Sequence, residues 1–474
     1  MTSKSFSRVL SSVTLRVAVL VTLCLIVSCQ APRTKNIPAT VKRSVPPLAR
    51  PAQPNVIILV IDTLRYDATS VDPSLPNTTP FLRELVRRSV SFDNAYSTFD
   101  STPASHFSLL TGFVAGWHTA IDRQDYSVAH QLRSLGYSSV GVSANGNLSR
   151  ATMSVIQAFQ NYDCLYDDWL KLPAPERERL LPNIDAQIRS YGGRVNDFNR
   201  MHLFCSAPRV LAALEKKIQS AKPPFLAFAN ILEPHDPYFP DATYYDRAVE
   251  ESGRKSRDVD ADVRFRHVAS ELLHPDTINN KARRDTVLSR LRRADGRAWC
   301  LTDHLSKHAL ATYRSRYGGE VRAADAHLRS FFQFLEDEHY ADSTIVIVTS
   351  DHGESFGEGG LITHSFNNEG DRESTHRVPL LIAFPRSFQI APKRIASLVS
   401  IADVAPTIYD LVGMDWRNVA NQSTVGNFGK SLLPYIFGQE ITTYPLTAST
   451  STGGNRRDST RESIQRLRSL GYLH

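Results

Sequence analysis

Five short apolar runs punctuate the chain: Val56–Ile61, Ser139–Ser143, Phe225–Ile231, Thr344–Thr349 and Val378–Phe384. None contains a charge, and each has the length of a strand rather than a helix. Unbroken apolar runs of this size predict buried strands of a parallel sheet. Between them, apolar residues recur at three- and four-residue spacing over Thr79–Arg88, Val210–Ala221 and Tyr317–Glu336, which predicts helices. The first is entered through Thr78-Thr79-Pro80, with proline where a helix tolerates it. Strand–helix alternation predicts an α/β fold with a mostly parallel central sheet flanked by helices. In such sheets ligands bind beyond the carboxyl ends of the strands. No internal repeat of fixed period is present.

The two ends of the chain read differently. Residues 1–28 carry Lys4, Arg8 and Arg16 without an acid, then the apolar run Val17–Val27. That run is shorter than the roughly 20 residues a membrane-crossing helix needs, so it reads as an export signal. It closes on Ile26-Val27-Ser28-Cys29, which resembles the lipobox of bacterial lipoproteins, where the cysteine is lipidated. The other reading is an ordinary signal peptide with an incidental Cys29. Residues 29–54, with six prolines and five cations, predict a basic extended tether. The main domain is expected over 55–440, with an insertion at about 242–312. Between Arg254 and Arg297 that insertion has 12 Lys/Arg against 7 Asp/Glu and no strand pattern. It predicts a helical or partly mobile segment over one edge of the sheet. The tail 441–474 ends in a short helix with Ile464, Leu467 and Leu470 on one face.

Charge narrows the function. The net +7 includes three cations in 1–28 and five in 30–54, so residues 55–474 carry −1. A basic nucleic-acid footprint is not indicated. After Cys24 and Cys29, three cysteines remain, Cys164, Cys205 and Cys300. They fit no zinc spacing, leaving one disulfide or three thiols as the options.

Candidate chemistry clusters after the strands. Asp62 follows Val56–Ile61 in IDTLRYD, His235 follows Phe225–Ile231 in EPHDPYFP, and Asp351-His352 follow Thr344–Thr349 in TSDHGESFGEGG. A lone aspartate after a strand is usually a solvated cap. Three parallel strands ending in such groups can converge on one edge, and carboxylate with imidazole suits a divalent ion such as zinc or manganese. Ser101–Gly112, STPASHFSLLTG, runs from a polar loop into a short helix. A hydroxyl there is an N-cap or a nucleophile, since the same terminus stabilises an anion.

These pieces carry a family resemblance. PNVIILVIDTLRYD, TPFLRELVRRSVSFDNAYS, SHFSLLTG, LGYSSVGVSANGNLS, EPHDPY, SDHGE, RVPLLIAFP, ADVAPTIYDLVG and GKSLLP occur in order between Asn55 and Gly438. The chain thereby resembles the sulfatase family of the alkaline-phosphatase superfamily. The resemblance implies an alkaline-phosphatase-like mixed sheet, a divalent metal, and covalent attack on a sulfate or phosphate ester. Typical members form formylglycine from a Cys or Ser in C/S-x-P-S-R. Counting back from Gly112 places Thr102 at that position, with Ala104 and His106 at the proline and arginine positions. A register starting at Ser101 leaves Ser105 where arginine is required. Threonine oxidises to a ketone, so no formylglycine is expected. Thr102 resembles the nucleophile of phosphodiesterase and phosphoethanolamine-transferase relatives.

The metal positions depart in the same direction. Where typical members have paired carboxylates and Asp-Asn, this chain has Asp62-Thr63 and Asp351-His352. An imidazole in an oxygen set suits zinc better than calcium. The expected site is therefore one divalent metal on Asp62, Thr102, Asp351 and His352. Thr102, His235 and His364 would do chemistry, and His106 and His118, each equally apt to be structural, would bind substrate. The substrate would be a small-molecule or glycan ester, met in the bacterial envelope by an extracytoplasmic enzyme anchored to the membrane through Cys29. Two rivals stand beside this hydrolase. One is a phosphoethanolamine-type transferase acting on envelope glycan or lipid. The other is a non-catalytic binding lipoprotein.

Overall fold

A computed structural model describes residues 53–114, 123–193, 195–245, 307–358, 362–364, 372–415, 419 and 428–437. The strands are β1 (Asn55–Ile61), β2 (Val90–Tyr96), β3 (Ser138–Ser143), β4 (Asn161–Cys164), β5 (Phe225–Ile231), β6 (Thr344–Thr349), β7 (Ser355–Phe356), β8 (Ile362–Thr363), β9 (Arg377–Ala383) and β10 (Lys393–Ser400). β7 and β8 pair as a small hairpin. The other eight form one sheet in the order β10-β2-β9-β6-β1-β5-β3-β4.

β1 lies at the centre, parallel to β5 on one side and to β6 on the other. Every residue of it is buried, which is why its sequence is a continuous apolar run. Val56, Ile58 and Val60 enter one hydrophobic core, and Ile57, Leu59 and Ile61 enter the other. Each such side chain contributes about 1.5–3 kcal/mol on burial. Among the helices that frame the sheet and its carboxyl edge are α1 (Pro80–Val86), α2 (Thr102–Thr111), α3 (Ala207–Ser220), α4 (Lys307–Asp337) and α5 (Val404–Val412). Phe107 and Leu110 of α2 and Ile408 of α5 join the core of Val56. Leu85 of α1, Leu214 of α3 and Phe331 of α4 join the core of Ile57. The sheet is thus covered on both faces, as the sequence predicts.

One expectation is corrected. The run Val378–Phe384 has the pattern of a parallel strand, but β9 is antiparallel to both β6 and β2. Burial between two neighbours makes the run apolar and says nothing of direction. Just past β6, the Gly353 and Glu354 N–H groups donate to the Thr375 and Ser374 carbonyls, just before β9, so β9 starts from the edge where β6 ends and runs back. The coarse pattern also misses β2, β4 and β10. β4 and β10 are edge strands with alternating exposure, and β2 carries Asp93 and Asn94 half-buried.

The three expected helices are present with shifted ends, and α4 begins at Lys307, inside the expected insertion. The rest of that insertion from residue 246, the signal, the tether through residue 52 with Cys29, the tail, His118 and Cys300 lie outside the described residues. Cys164 and Cys205 are buried free thiols. Among the described residues no helix is long and apolar enough to cross a membrane.

Candidate active site

β1, β2, β5 and β6 deliver their carboxyl ends to one edge, and the site is assembled there. Asp62 leaves β1 with its N–H donating to the Ile231 carbonyl at the end of β5, 2.8 Å away. Its Oδ2 accepts from Asn145 Nδ2 at 2.9 Å and Asn230 Nδ2 at 3.3 Å. Asp351, just past β6, accepts at Oδ1 from the His352 N–H at 2.9 Å and the Thr63 N–H at 3.2 Å. Thr63 is held at φ 56°, a left-handed conformation that a β-branched residue rarely adopts. That turn aims its amide at Asp351, while its carbonyl accepts from Tyr317 Oη.

The remaining carboxylate oxygens face each other. Asp62 Oδ1 and Asp351 Oδ2 are buried and have no hydrogen-bond partner. Between them lies His352 Nε2, 3.4 Å from Asp351 Oδ2 and 3.9 Å from Asp62 Oδ1. His352 Nδ1 lies 2.9 Å from the Gly353 carbonyl. That oxygen can only accept, so Nδ1 carries the proton and Nε2 offers a lone pair. One donor atom from each of Asp62, Asp351 and His352 lies within 4.8 Å of the others. Leaving such oxygens unmatched costs about 1–3 kcal/mol apiece, more when charged. Two orphaned oxygens and an imidazole lone pair, all pointing inward, fit a divalent cation.

Thr102 meets this cluster as the first residue of α2, with Pro103 next in the opening turn. Its Oγ1 lies 3.4 Å from His352 Nε2 and 3.4 Å from Asn145 Nδ2. His106, one turn on, is wholly buried. Its Nδ1 donates to the Thr102 carbonyl at 2.9 Å and stands 3.5 Å from Asp351 Oδ2. His235 and His364 lie beside the cluster, with ring centroids 4.9 Å apart, and the His364 ring centroid lies 4.5 Å from that of His352.

Electrostatics separates these groups. Burial raises Asp351 to about 6 against the hydrogen bonds from Thr63 and His352. Burial and the neighbouring Asp351 charge raise Asp62. A cation between them would relieve both effects. Burial pushes His106 down to about 3. Burial and the charge of His235 push His364 down to about 4. His235 moves the other way: burial opposes its charge, but Asp62, Asp236 and Glu354 prevail and lift it to about 9.

Sequence reasoning missed Asn145, Asn230 and Glu354. Asn230 had a readable signal, a polar residue inside the buried run FLAFANI. Asn145 and Glu354 lie within the stretches VSANG and SDHGE, but their roles depend on contacts across the sheet edge.

The family model described as Sulfatase matches residues 54–414. A relative named multifunctional alkaline phosphatase superfamily protein PehA, from Trinickia caryophylli, is 24% identical, covering 81% of this chain and 77% of its own. A choline-sulfatase from Rhizobium meliloti (strain 1021) is also 24% identical, with coverage of 82% and 73%. The crystal structure of a phosphonate monoester hydrolase of Agrobacterium radiobacter superposes with a TM-score of 0.52 at 17% identity, covering 83% of this chain and 79% of the other.

Proposed function

The chain belongs to the sulfatase family, and from that premise we propose that it hydrolyses a sulfate or phosphate ester through a covalent intermediate on Thr102. The observation that carries this reading is the convergence of the two orphaned oxygens, Asp62 Oδ1 and Asp351 Oδ2, with His352 Nε2, beside Thr102 Oγ1. Asp62, Asp351, His352 and Thr102 would hold one divalent metal, and two carboxylates with an imidazole suit zinc. When bound, the metal supplies a Lewis acid that favours ionised hydroxyl and neutralises charge on the ester.

The chain's own residues do the rest. Asn145 spans Asp62 and Thr102 and fixes the hydroxyl's direction. The N-terminus of α2, which opens at Thr102, favours negative charge on a group attached there. His235 lies beside the cluster and, when protonated, can pair with ester oxygens and give its proton to the departing alcohol. Without formylglycine the family's usual release from sulfate is closed, so attack by water on the threonine ester must complete the cycle. That requirement favours a phosphate ester within the proposed class. The enzyme would work in the bacterial envelope, held to the membrane through a lipid on Cys29. Support for the anchor comes from the lipobox-like Ile26-Val27-Ser28-Cys29.

The test is a panel of 4-nitrophenyl sulfate, phosphate and phosphodiester substrates with the zinc-loaded protein. Thr102→Ala should abolish turnover and retain metal, because three ligands remain. Trapping should place the sulfuryl or phosphoryl group on Thr102. An adduct on Ser101, or normal turnover by Thr102→Ala, would overturn the reading.

A further inference from the structure

The turn that follows Asp62 is held by side chains from two distant parts of the chain. Thr63 N–H donates to Asp351 Oδ1 at 3.2 Å, Leu64 N–H to Ser350 Oγ at 2.9 Å, and Arg65 N–H to Tyr317 Oη at 2.9 Å. Leu64 N–H also reaches the Ile61 carbonyl, at the longer distance of 3.4 Å. Ser350 in turn donates to the His352 carbonyl at 2.6 Å, so the first two acceptors belong to the run that carries the candidate ligands Asp351 and His352. Tyr317 comes from α4, 254 positions from Thr63, and closes the turn from the other side. Its hydroxyl donates to the Thr63 carbonyl at 2.9 Å, while the same oxygen accepts from Arg65. A carbonyl oxygen only accepts and an amide only donates, so these roles cannot be exchanged.

Thr63 does not hold this conformation by itself. It stands at φ 56°, where a β-branched residue is strained. Its own hydroxyl is buried and has no hydrogen-bond partner, so no bond of the side chain offsets the strain. The Tyr317 ring is buried and packs edge-on against Tyr238 and Phe356, with centroids 5.9 and 4.9 Å away. The phenol is therefore a fixed point to which the strained turn is pinned.

We propose that Tyr317 is a positioning residue for the metal site. By holding the Thr63 turn it keeps the Thr63 amide on Asp351 Oδ1, which leaves Oδ2 facing Asp62 Oδ1 and His352. This role rests on the metal site proposed for Asp62, Asp351 and His352. It is one of geometry alone, since no proton or bond changes hands at Tyr317.

Tyr317→Phe removes the hydroxyl and keeps the ring packing, leaving the Thr63 carbonyl and the Arg65 amide without this partner. The measurement is the zinc dissociation constant of the folded protein, by competition with a chelator of known affinity. Zinc affinity should fall about 10–100-fold, as it does when the groups that orient metal ligands are lost. A tyrosine that only filled space would lower the melting temperature in chelator and leave that constant unchanged. Thr63→Gly is the second variant, because glycine adopts positive φ without strain. Added to Tyr317→Phe, it should restore about 3–10-fold of the lost affinity. Parent-like zinc affinity in Tyr317→Phe would overturn the role of Tyr317. So would a loss of affinity, or of folding, that Thr63→Gly does not reduce. If the parent protein itself binds no zinc, the metal site fails and this inference falls with it.

Discussion

Replacing Asp351 by asparagine should change stability in opposite directions with and without metal. Asp351 Oδ1 keeps its two backbone donors, Thr63 and His352, because the asparagine oxygen accepts equally. The amide nitrogen takes the place of Oδ2, 3.4 Å from the lone pair on His352 Nε2, and donates where a carboxylate oxygen had no partner. Removing that unmatched buried oxygen is worth about 1–3 kcal/mol. The titration agrees in sign. Burial raises Asp351 from 3.8 to about 6. Such a carboxyl favours folding below its unfolded pKa, and that contribution is lost as pH rises from about 4 to 6, costing about 3 kcal/mol at pH 8. In chelator at pH 8 the variant should therefore be more stable than the parent. Zinc at 100 times its Kd adds about 2.7 kcal/mol to a protein that binds it. A domain of about 400 residues unfolds with an entropy near 0.8 kcal/mol/K, so each of these effects moves Tm by about 1–4 °C. Calorimetric scans at pH 8 should show the variant melting higher in chelator and the parent melting higher in zinc. A variant that melts lower in both conditions would refute the metal site and make Asp351 a structural carboxylate.

Gly353→Ala should cost both fold and metal, because a Cβ there would lie 1.9 Å from the Ser374 carbonyl oxygen. Backbone cannot yield cheaply, so urea unfolding should show a loss of at least about 1–3 kcal/mol, and an unchanged midpoint would refute the packing argument. Glu233 accepts from the Ala207 N–H at the start of α3, at 2.8 and 2.9 Å. Burial outweighs this and lifts it from 4.5 to about 7. Its contribution is full below about pH 4.5 and is lost as pH rises through 7. Glu233→Gln should flatten that part of the stability–pH curve, and an unchanged slope would count against the shift. Cys29→Ala should release the protein from membranes into a soluble extracytoplasmic fraction, whereas full retention would exclude the lipid anchor.

The central strands were legible because burial on both faces imposes an unbroken apolar run. β1, β3, β5 and β6 are therefore readable from Val56–Ile61, Ser139–Ser143, Phe225–Ile231 and Thr344–Thr349. The metal-ligand candidates were legible for a related reason. In a parallel sheet, the residues just past each strand emerge at one edge, so Asp62 and Asp351-His352 could be placed together before any coordinates. Direction and partnership were decided only by the tertiary structure. β9 is as apolar as the parallel strands but runs against them, because it starts at the site edge, where the Ser374 and Thr375 carbonyls accept from Glu354 and Gly353 just past β6. Nor could spacing show that Asn145 and Asn230 occupy one oxygen of Asp62 and leave the other bare. The same holds for Tyr238 closing on Glu354 across 116 positions of sequence. A hydrogen bond depends on direction within a few tenths of an ångström. One-dimensional patterns record burial and period, but they do not record which atom of a carboxylate remains without a donor.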